Sequence, residues 1–205
     1  RAKAPENTAA PPDYPISAAA VAADGSYALA VQSTEYASTL RAYSKSGVNK
    51  YNFYLSDQYI TCVSISPSGT MAVIGTLGSS KGELTSNLMV LDFNSDSGTP
   101  LSSYTSSDNM IVDILWTDEQ QILAIGDKAA VRCDTSGYTF TEYSYEGKQL
   151  TAYELSGSRA VLSVSGYEHA GACTVMVLGG ESPLQLETEE RVTSISSFSG
   201  TTAVL

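Results

Sequence analysis

The sequence predicts an all-β fold built by repetition, and three observations predict it. No stretch of ten or more residues carries the apolar period of a helix. One unit of short apolar strands joined by Gly-bearing turns recurs along the chain. The second strand of each unit is an unbroken run of small and branched residues, the pattern of a strand buried on both faces.

The unit opens on an apolar strand, a tight polar turn and a second strand. Its instances are Ala20–Val31, Val63–Ile74, Ile114–Ile125 and Tyr153–Leu162, and a fifth begins at Ser197–Leu205. Aligned on the turn at Gly25, Gly69, Glu119, Gly157 and Gly200, the spacings are 44, 50, 38 and 43 residues. A four-stranded propeller blade takes about 40–45 residues. Glycine suits the turn because it adopts positive φ without strain, and only Glu119 departs from it. Third strands follow at Leu40–Tyr43, Leu88–Phe93, Ala130–Cys133 and Thr174–Leu178, ending in Ser46-Gly47, Ser97-Gly98, Ser136-Gly137 and Gly179-Gly180. Fourth strands, alternating as an outer strand with one wet face should, are Lys50–Leu55, Leu101–Tyr104, Phe140–Tyr143 and Leu184–Glu187. Thr76–Gly82 reads as a long loop between the second and third strands of its unit.

The architecture expected is therefore a β-propeller of four-stranded antiparallel blades, about four and a half of them present. Units fall near residues 16–58, 59–108, 109–148 and 149–190, with a partial unit at 191–205. Residues 1–15 hold four of the seven prolines and read as a Pro-rich linker or arm. The half unit leaves an open strand edge near Thr201–Leu205, and the first residue is Arg1 rather than Met. The expectation is that blades are missing from this sequence; the alternatives are closure through the two ends or completion by a second chain.

Composition narrows the function class. The chain has 205 residues, 11 Lys+Arg against 22 Asp+Glu and a formal net charge of −11. Charged residues make up only 16%, while 30 Ser and 19 Thr supply the polar surface. That balance is too apolar for a disordered chain and too acidic for a general nucleic-acid binder. No apolar run is long enough to span a bilayer.

The segments Ile65-Ser66-Pro67-Ser68-Gly69 and Leu88-Met89-Val90-Leu91-Asp92-Phe93 resemble the S-P-D-G hairpin and V-x-D third strand of WD40-like and bacterial quinoprotein-like propellers. The Gly-His and Trp-Asp signatures of true WD40 repeats are absent. Over residues 16–205 the pattern is similar to an uncharacterised family of Gram-positive propeller proteins. The resemblance implies an N-terminal membrane anchor outside this chain and an outward-facing propeller. It carries no site residues with it.

His169, the only histidine, has no partner at ligand spacing and reads as a loop residue. Asp92, Asn94 and Asp96 mimic the start of a calcium loop, but Gly98 falls late and no closing Glu follows, so a plain turn is expected, with calcium binding left open. Glu181, Glu187, Glu189 and Glu190 read as a solvated acidic face rather than a glycosidase pair. The loop around Lys81 lacks the phosphate-binding glycine pattern, and no serine sits in a nucleophile elbow. Cys62, Cys133 and Cys173 read as small buried hydrophobes, with a Cys133–Cys173 bridge as the alternative. Trp116 reads as core. Tyr36, Tyr43, Tyr51, Tyr54, Tyr138, Tyr143 and Tyr145 fill strand positions or, where exposed, form a recognition rim.

No catalytic, cofactor or metal residue is assigned, and no cofactor is expected. The functional expectation is a non-enzymatic binding or scaffold propeller at the cell surface, taking a protein or polysaccharide ligand such as a cell-wall polymer. Nucleic acid is not expected as a partner, and the membrane only through the outside anchor. The alternative is a hydrolase or quinoprotein-type enzyme whose active site lies in the channel or in missing blades; a third reading is a structural spacer in a surface assembly.

Overall fold

The computed structural model describes residues 14–95, 98–167, 171–180, 182–198 and 201–204. Every regular element among them is a β-strand. The first sheet is β1 (Ile16–Val21), β2 (Tyr27–Val31), β3 (Ser38–Tyr43) and β4 (Asn49–Leu55); the second is β5 (Gln58–Ile65), β6 (Met71–Ser80), β7 (Glu83–Asp92) and β8 (Ser102–Ser106). The third is β9 (Ile111–Trp116), β10 (Gln121–Gly126), β11 (Ala129–Asp134) and β12 (Thr139–Ser144); the fourth is β13 (Gln149–Ser156), β14 (Arg159–Ser165), β15 (Cys173–Leu178) and β16 (Leu184–Thr188). The strands β17 (Ile195–Phe198) and β18 (Thr201–Val204) pair alone. Every sheet takes its strands in chain order, so the fold is four four-stranded antiparallel blades and a partial fifth, the class the repeat predicts.

The chain divides into two compact units, residues 1–114 and 115–205. In the first, the core lies between the first two sheets. Leu40 and Phe53 from β3 and β4 meet Ile60, Ile74 and Leu91 across small residues, Ala28, Ala30, Ala42 and Ala72. In the second unit, Val161, Cys173, Val175 and Val192 form a cluster on which Val177 and Ile195 pack. The buried runs are the second and third strands: β10 is buried over Ile122–Gly126 and β14 over Ala160–Val164.

Two devices recur that hold strands in place. The first strands β1, β5 and β13 each break register between Ile16 and Ala18, Ile60 and Cys62, and Leu150 and Ala152. The extra residue is Ser17, Thr61 or Thr151, and its hydroxyl donates to a carbonyl of the second strand: Ala30 at 3.3 Å, Gly75 at 3.2 Å and Ser163 at 3.0 Å. Each bulge thus recovers with a side chain part of the pairing it disrupts. The second device ties a third strand to the next sheet. Ser38 Oγ accepts from the Ile60 amide and Ser86 Oγ from the Ile111 amide, both at 3.0 Å and both buried. In the second unit the Leu150 amide is taken by the Asp127 carbonyl at 2.9 Å instead.

One expectation changes, and three further points are decided. Thr76–Gly82 is not a loop: β6 and β7 pair without a break to Ser80–Glu83. Lys81 and Gly82 turn the chain with φ of 53° and 87°, the positive pair of a two-residue hairpin. The third-unit turn places its positive φ at Tyr138 (50°), not at Gly137. The Cys133–Cys173 bridge does not exist; all three cysteines are free and buried. Tyr51 and Tyr145 belong to the core rather than a rim: Tyr145 is 2% exposed and its hydroxyl donates to the Gly126 carbonyl at 3.2 Å.

Candidate functional site

The second unit carries a cavity with both polar and apolar lining. β9–β10 and β13–β14 turn at one end of their sheets, and in an antiparallel meander the β15–β16 turn falls at that same end. The cavity, about 420 Å³, opens among these turns, with Thr117 and Asp118 on one side and Ser158, Gly179, Gly180 and Pro183 on the other. Ile122, Leu123 and Leu178 give it an apolar floor; Gln121, Arg132 and Tyr143 supply its polar groups.

The polar wall is held in advance. Arg132 on β11 sits opposite Leu123 on β10, two positions in from the Gln121–Asp134 pair and so on the same face of the sheet. Its Nε donates to Gln121 Oε1, and Gln121 Nε2 donates to Asp134 Oδ2 at 2.8 Å. Asp134 Oδ1 accepts from the Ser136 amide at 2.8 Å and from its hydroxyl at 2.6 Å. Those two Ser136 bonds, then Gln121 and the Arg132 charge, hold the Asp134 carboxyl below its ordinary value against the pull of desolvation. Asp118 Oδ1 accepts from the Gln120 amide at 2.7 Å, which orders this turn although no residue in it adopts positive φ. On the opposite wall Gly179 adopts φ 112° and lies so close to the Ser158 carbonyl that a Cβ would overlap it. The site offers a fixed guanidinium, one carboxylate, hydroxyls and a half-buried aromatic ring around an apolar floor, the composition of a small-ligand pocket.

The sequence candidates are dispersed. Asp92 Oδ1 accepts from the Asn94 amide at 2.9 Å and side chain at 3.2 Å, which makes an Asx turn; Asp96 lies outside the described residues. His169 and Glu181 also lie outside them. Glu187, Glu189 and Glu190 are exposed, and Glu187 accepts from Thr174 Oγ1 at 2.7 Å and from Lys148 Nζ at 3.4 Å. Among the described residues, no group of three or more His, Cys, Asp and Glu is placed to hold a metal. Burial pushes the Cys62 and Cys133 thiols up to about 11. Cys173 is also buried, but hydrogen bonds from Ser163, Thr188 and Val192 outweigh its desolvation and lower its pKa. Trp116 is core, as expected. Two tyrosine pairs form: Tyr27 stacks on Tyr43 with ring centroids 5.0 Å apart, and Tyr36 meets Tyr54 at 4.8 Å.

Sequence reading named Tyr143 but missed Gln121 and Arg132. The available signal was an arginine interrupting an apolar third strand, Val131-Arg132-Cys133, echoed by Leu40-Arg41-Ala42 in the first unit.

These sheets define the chain as a propeller-type repeat protein, and solved structures agree. It is similar to hydrazine synthase of Kuenenia stuttgartiensis (13% identity over 83% of this chain and 53% of that one, TM-score 0.56). It is equally similar to the WD40 repeats of RRP9 (14% identity over 84% and 51%, TM-score 0.56). The chain spans about half the length of these structures. No curated protein matches it. Residues 8–146 match the model of DUF5711, a family of unknown function, and the chain belongs to that family.

Proposed function

We propose that this chain is a non-enzymatic binding module, displayed outside the cell by a membrane anchor beyond this sequence, that takes a cell-wall polymer on the turns of its second unit. The observation that carries the reading is the cavity among those turns, where a side-chain network orders Arg132 before any ligand arrives. Preordering removes part of the entropic cost of binding. An aromatic wall beside fixed polar groups suits a sugar ring, whose C–H face is apolar and whose rim carries hydroxyls. The propeller fold is consistent with a binding or scaffold role.

The test is capture of the purified chain on cell-wall polymer fractions and on surface-protein fractions, beside protease accessibility of the native protein on intact cells. Retention on the polymer, reduced at least severalfold by Tyr143→Ala, is expected, with the propeller cleaved from outside. Retention by surface protein alone would replace the polymer with a protein ligand, and protection on intact cells would overturn the surface placement.

A further inference from the structure

The arginines of the second unit occupy unusual places for so acidic a segment. Residues 115–205 hold 5 Lys+Arg against 12 Asp+Glu. Yet Arg132, Arg159 and Arg191 each line a cavity, of about 420, 380 and 280 Å³ respectively. Asp118 is the one carboxylate among the described residues lining them. Two of the cavities thus carry a lone positive charge within an acidic surface, and in the first Arg132 is balanced by Asp118.

Of the three, only the first combines its arginine with an ordered partner and an aromatic wall. Arg132 spends Nε on Gln121 and acts on the Asp134 carboxylate through its charge. Asp134, the nearest acid on its own strand, is engaged by Ser136 and Gln121. A guanidinium held by one nitrogen presents the other two as a planar fork, the geometry that matches a carboxylate in two parallel hydrogen bonds. Asp118, beside it in the cavity, calls for a hydroxyl donor, and Tyr143 for a flat C–H face.

We infer that the cavity recognises an acidic sugar residue, with its carboxylate on Arg132, a ring hydroxyl on Asp118 and its apolar face toward Tyr143. A uronate places all three groups on one ring. A peptide C-terminus supplies the carboxylate but not the hydroxyl and the flat face together. This inference rests on the polymer-binding reading above and names the chemistry of its ligand.

Calorimetric titration of the full chain with an oligo-uronate, the matching neutral oligosaccharide and an acetylated tetrapeptide with a free C-terminus tests it. The uronate is expected to bind at least about tenfold more tightly than the neutral sugar, and to weaken as salt rises. Arg132→Gln and Arg132→Lys are both expected to lose that tenfold preference, because lysine keeps the charge but not the fork. Arg191→Gln makes the same change in net charge at another cavity and is expected to bind as the parent does; thermal unfolding checks that each variant is folded. Equal binding of acidic and neutral sugars would overturn the inference and leave polymer binding standing. Binding of the peptide alone would overturn the sugar assignment, and binding of none of the three would overturn both.

Discussion

At Gly179 the backbone adopts φ 112° with the Ser158 carbonyl against it and Arg159 Cα 3.0 Å from where a Cβ would stand. Both obstacles are backbone, so an added methyl group has no flexible neighbour to displace. Gly179→Ala is therefore expected to destabilise the protein by about 2 kcal/mol or more, and to distort the cavity wall formed by Gly180 and Pro183. Urea unfolding measures the first effect, and ligand titration of the folded fraction the second. Gly157, also at positive φ, has nothing within 4 Å of its own Cβ position, so Gly157→Ala should carry only the smaller backbone strain, about 1 kcal/mol. Sequence reading picked out both glycines as turn residues and could not rank them, because the crowding at Gly179 comes from another turn of the same sheet. The same limit hid Arg132: its strand position was legible, its bond to Gln121 across the sheet was not.

At the scale of the element, the β6–β7 hairpin makes the sharpest contrast between pattern and structure. Ser79, Ser80, Lys81 and Gly82 look like a polar loop because their composition is that of one. What extends the strands is pairing, and a row of polar side chains crosses the same sheet. Thr76 Oγ1 donates to Gln58 Oε1 at 2.7 Å, Asn87 Nδ2 donates to the same oxygen at 3.0 Å, and Thr105 Oγ1 donates to Asn87 Oδ1 at 2.6 Å. Asn87 sits at the hub and is 6% exposed. Asn87→Leu is expected to cost about 1–2 kcal/mol: Gln58 and Thr76 lose a donor but keep their mutual bond, and the Thr105 hydroxyl loses its acceptor but is exposed to water. Thr76→Val, which removes one donor, should cost less, and a double-mutant cycle should show the two changes to be strongly non-additive. At the turn, Lys81→Asn is expected to stabilise by a few tenths of a kcal/mol and Gly82→Ala to destabilise by about 1 kcal/mol. Equal effects at both positions would contradict the hairpin geometry. The repeat made the strands legible; their ends depended on hydrogen bonds between residues far apart in sequence.

For the whole molecule, stability follows the proton. The carboxyls of Asp24, Asp134 and Glu187 are lowered, chiefly by hydrogen bonds from Ser26, Ser136 and Thr174. A lowered carboxyl stabilises the fold above its ordinary value, here 3.8 for Asp and 4.5 for Glu, and that support fades as pH falls through the folded value. At the alkaline end the sign reverses. Desolvation raises Tyr51, Tyr145, Cys62 and Cys133, the two thiols to about 11 from an ordinary 9.0. The unfolded chain then releases protons that the folded one keeps, so the support is complete below pH 9.0 and is lost as pH rises toward about 11. Cys173, lowered, works in the opposite direction but alone. The melting temperature is expected to be level between about pH 5 and 8 and to fall on both sides. A melting temperature still rising above pH 9.0 would contradict the burial of the thiols. The repeat count was legible because each blade must present the same buried strands; the family, DUF5711, was not, because a period specifies an architecture shared by many families.

The bulges at Ser17, Thr61 and Thr151 have one more consequence. Side chains along a strand alternate between its two faces, so a single inserted residue works like a shift of reading frame. Residues before the insertion face one way by odd count, and those after it by even count. A one-codon deletion at Thr61 would restore strict alternation and turn Gln58–Ile60 inside out, burying what is now wet. Substitution there removes one hydroxyl bond, whereas deletion rewrites the facing of half a strand. Thr61 and Thr151 should therefore accept many replacements and no deletions, whereas Ser17, with only the exposed Ile16 before it in β1, should tolerate both, a contrast that a library mixing both kinds of edit would expose directly.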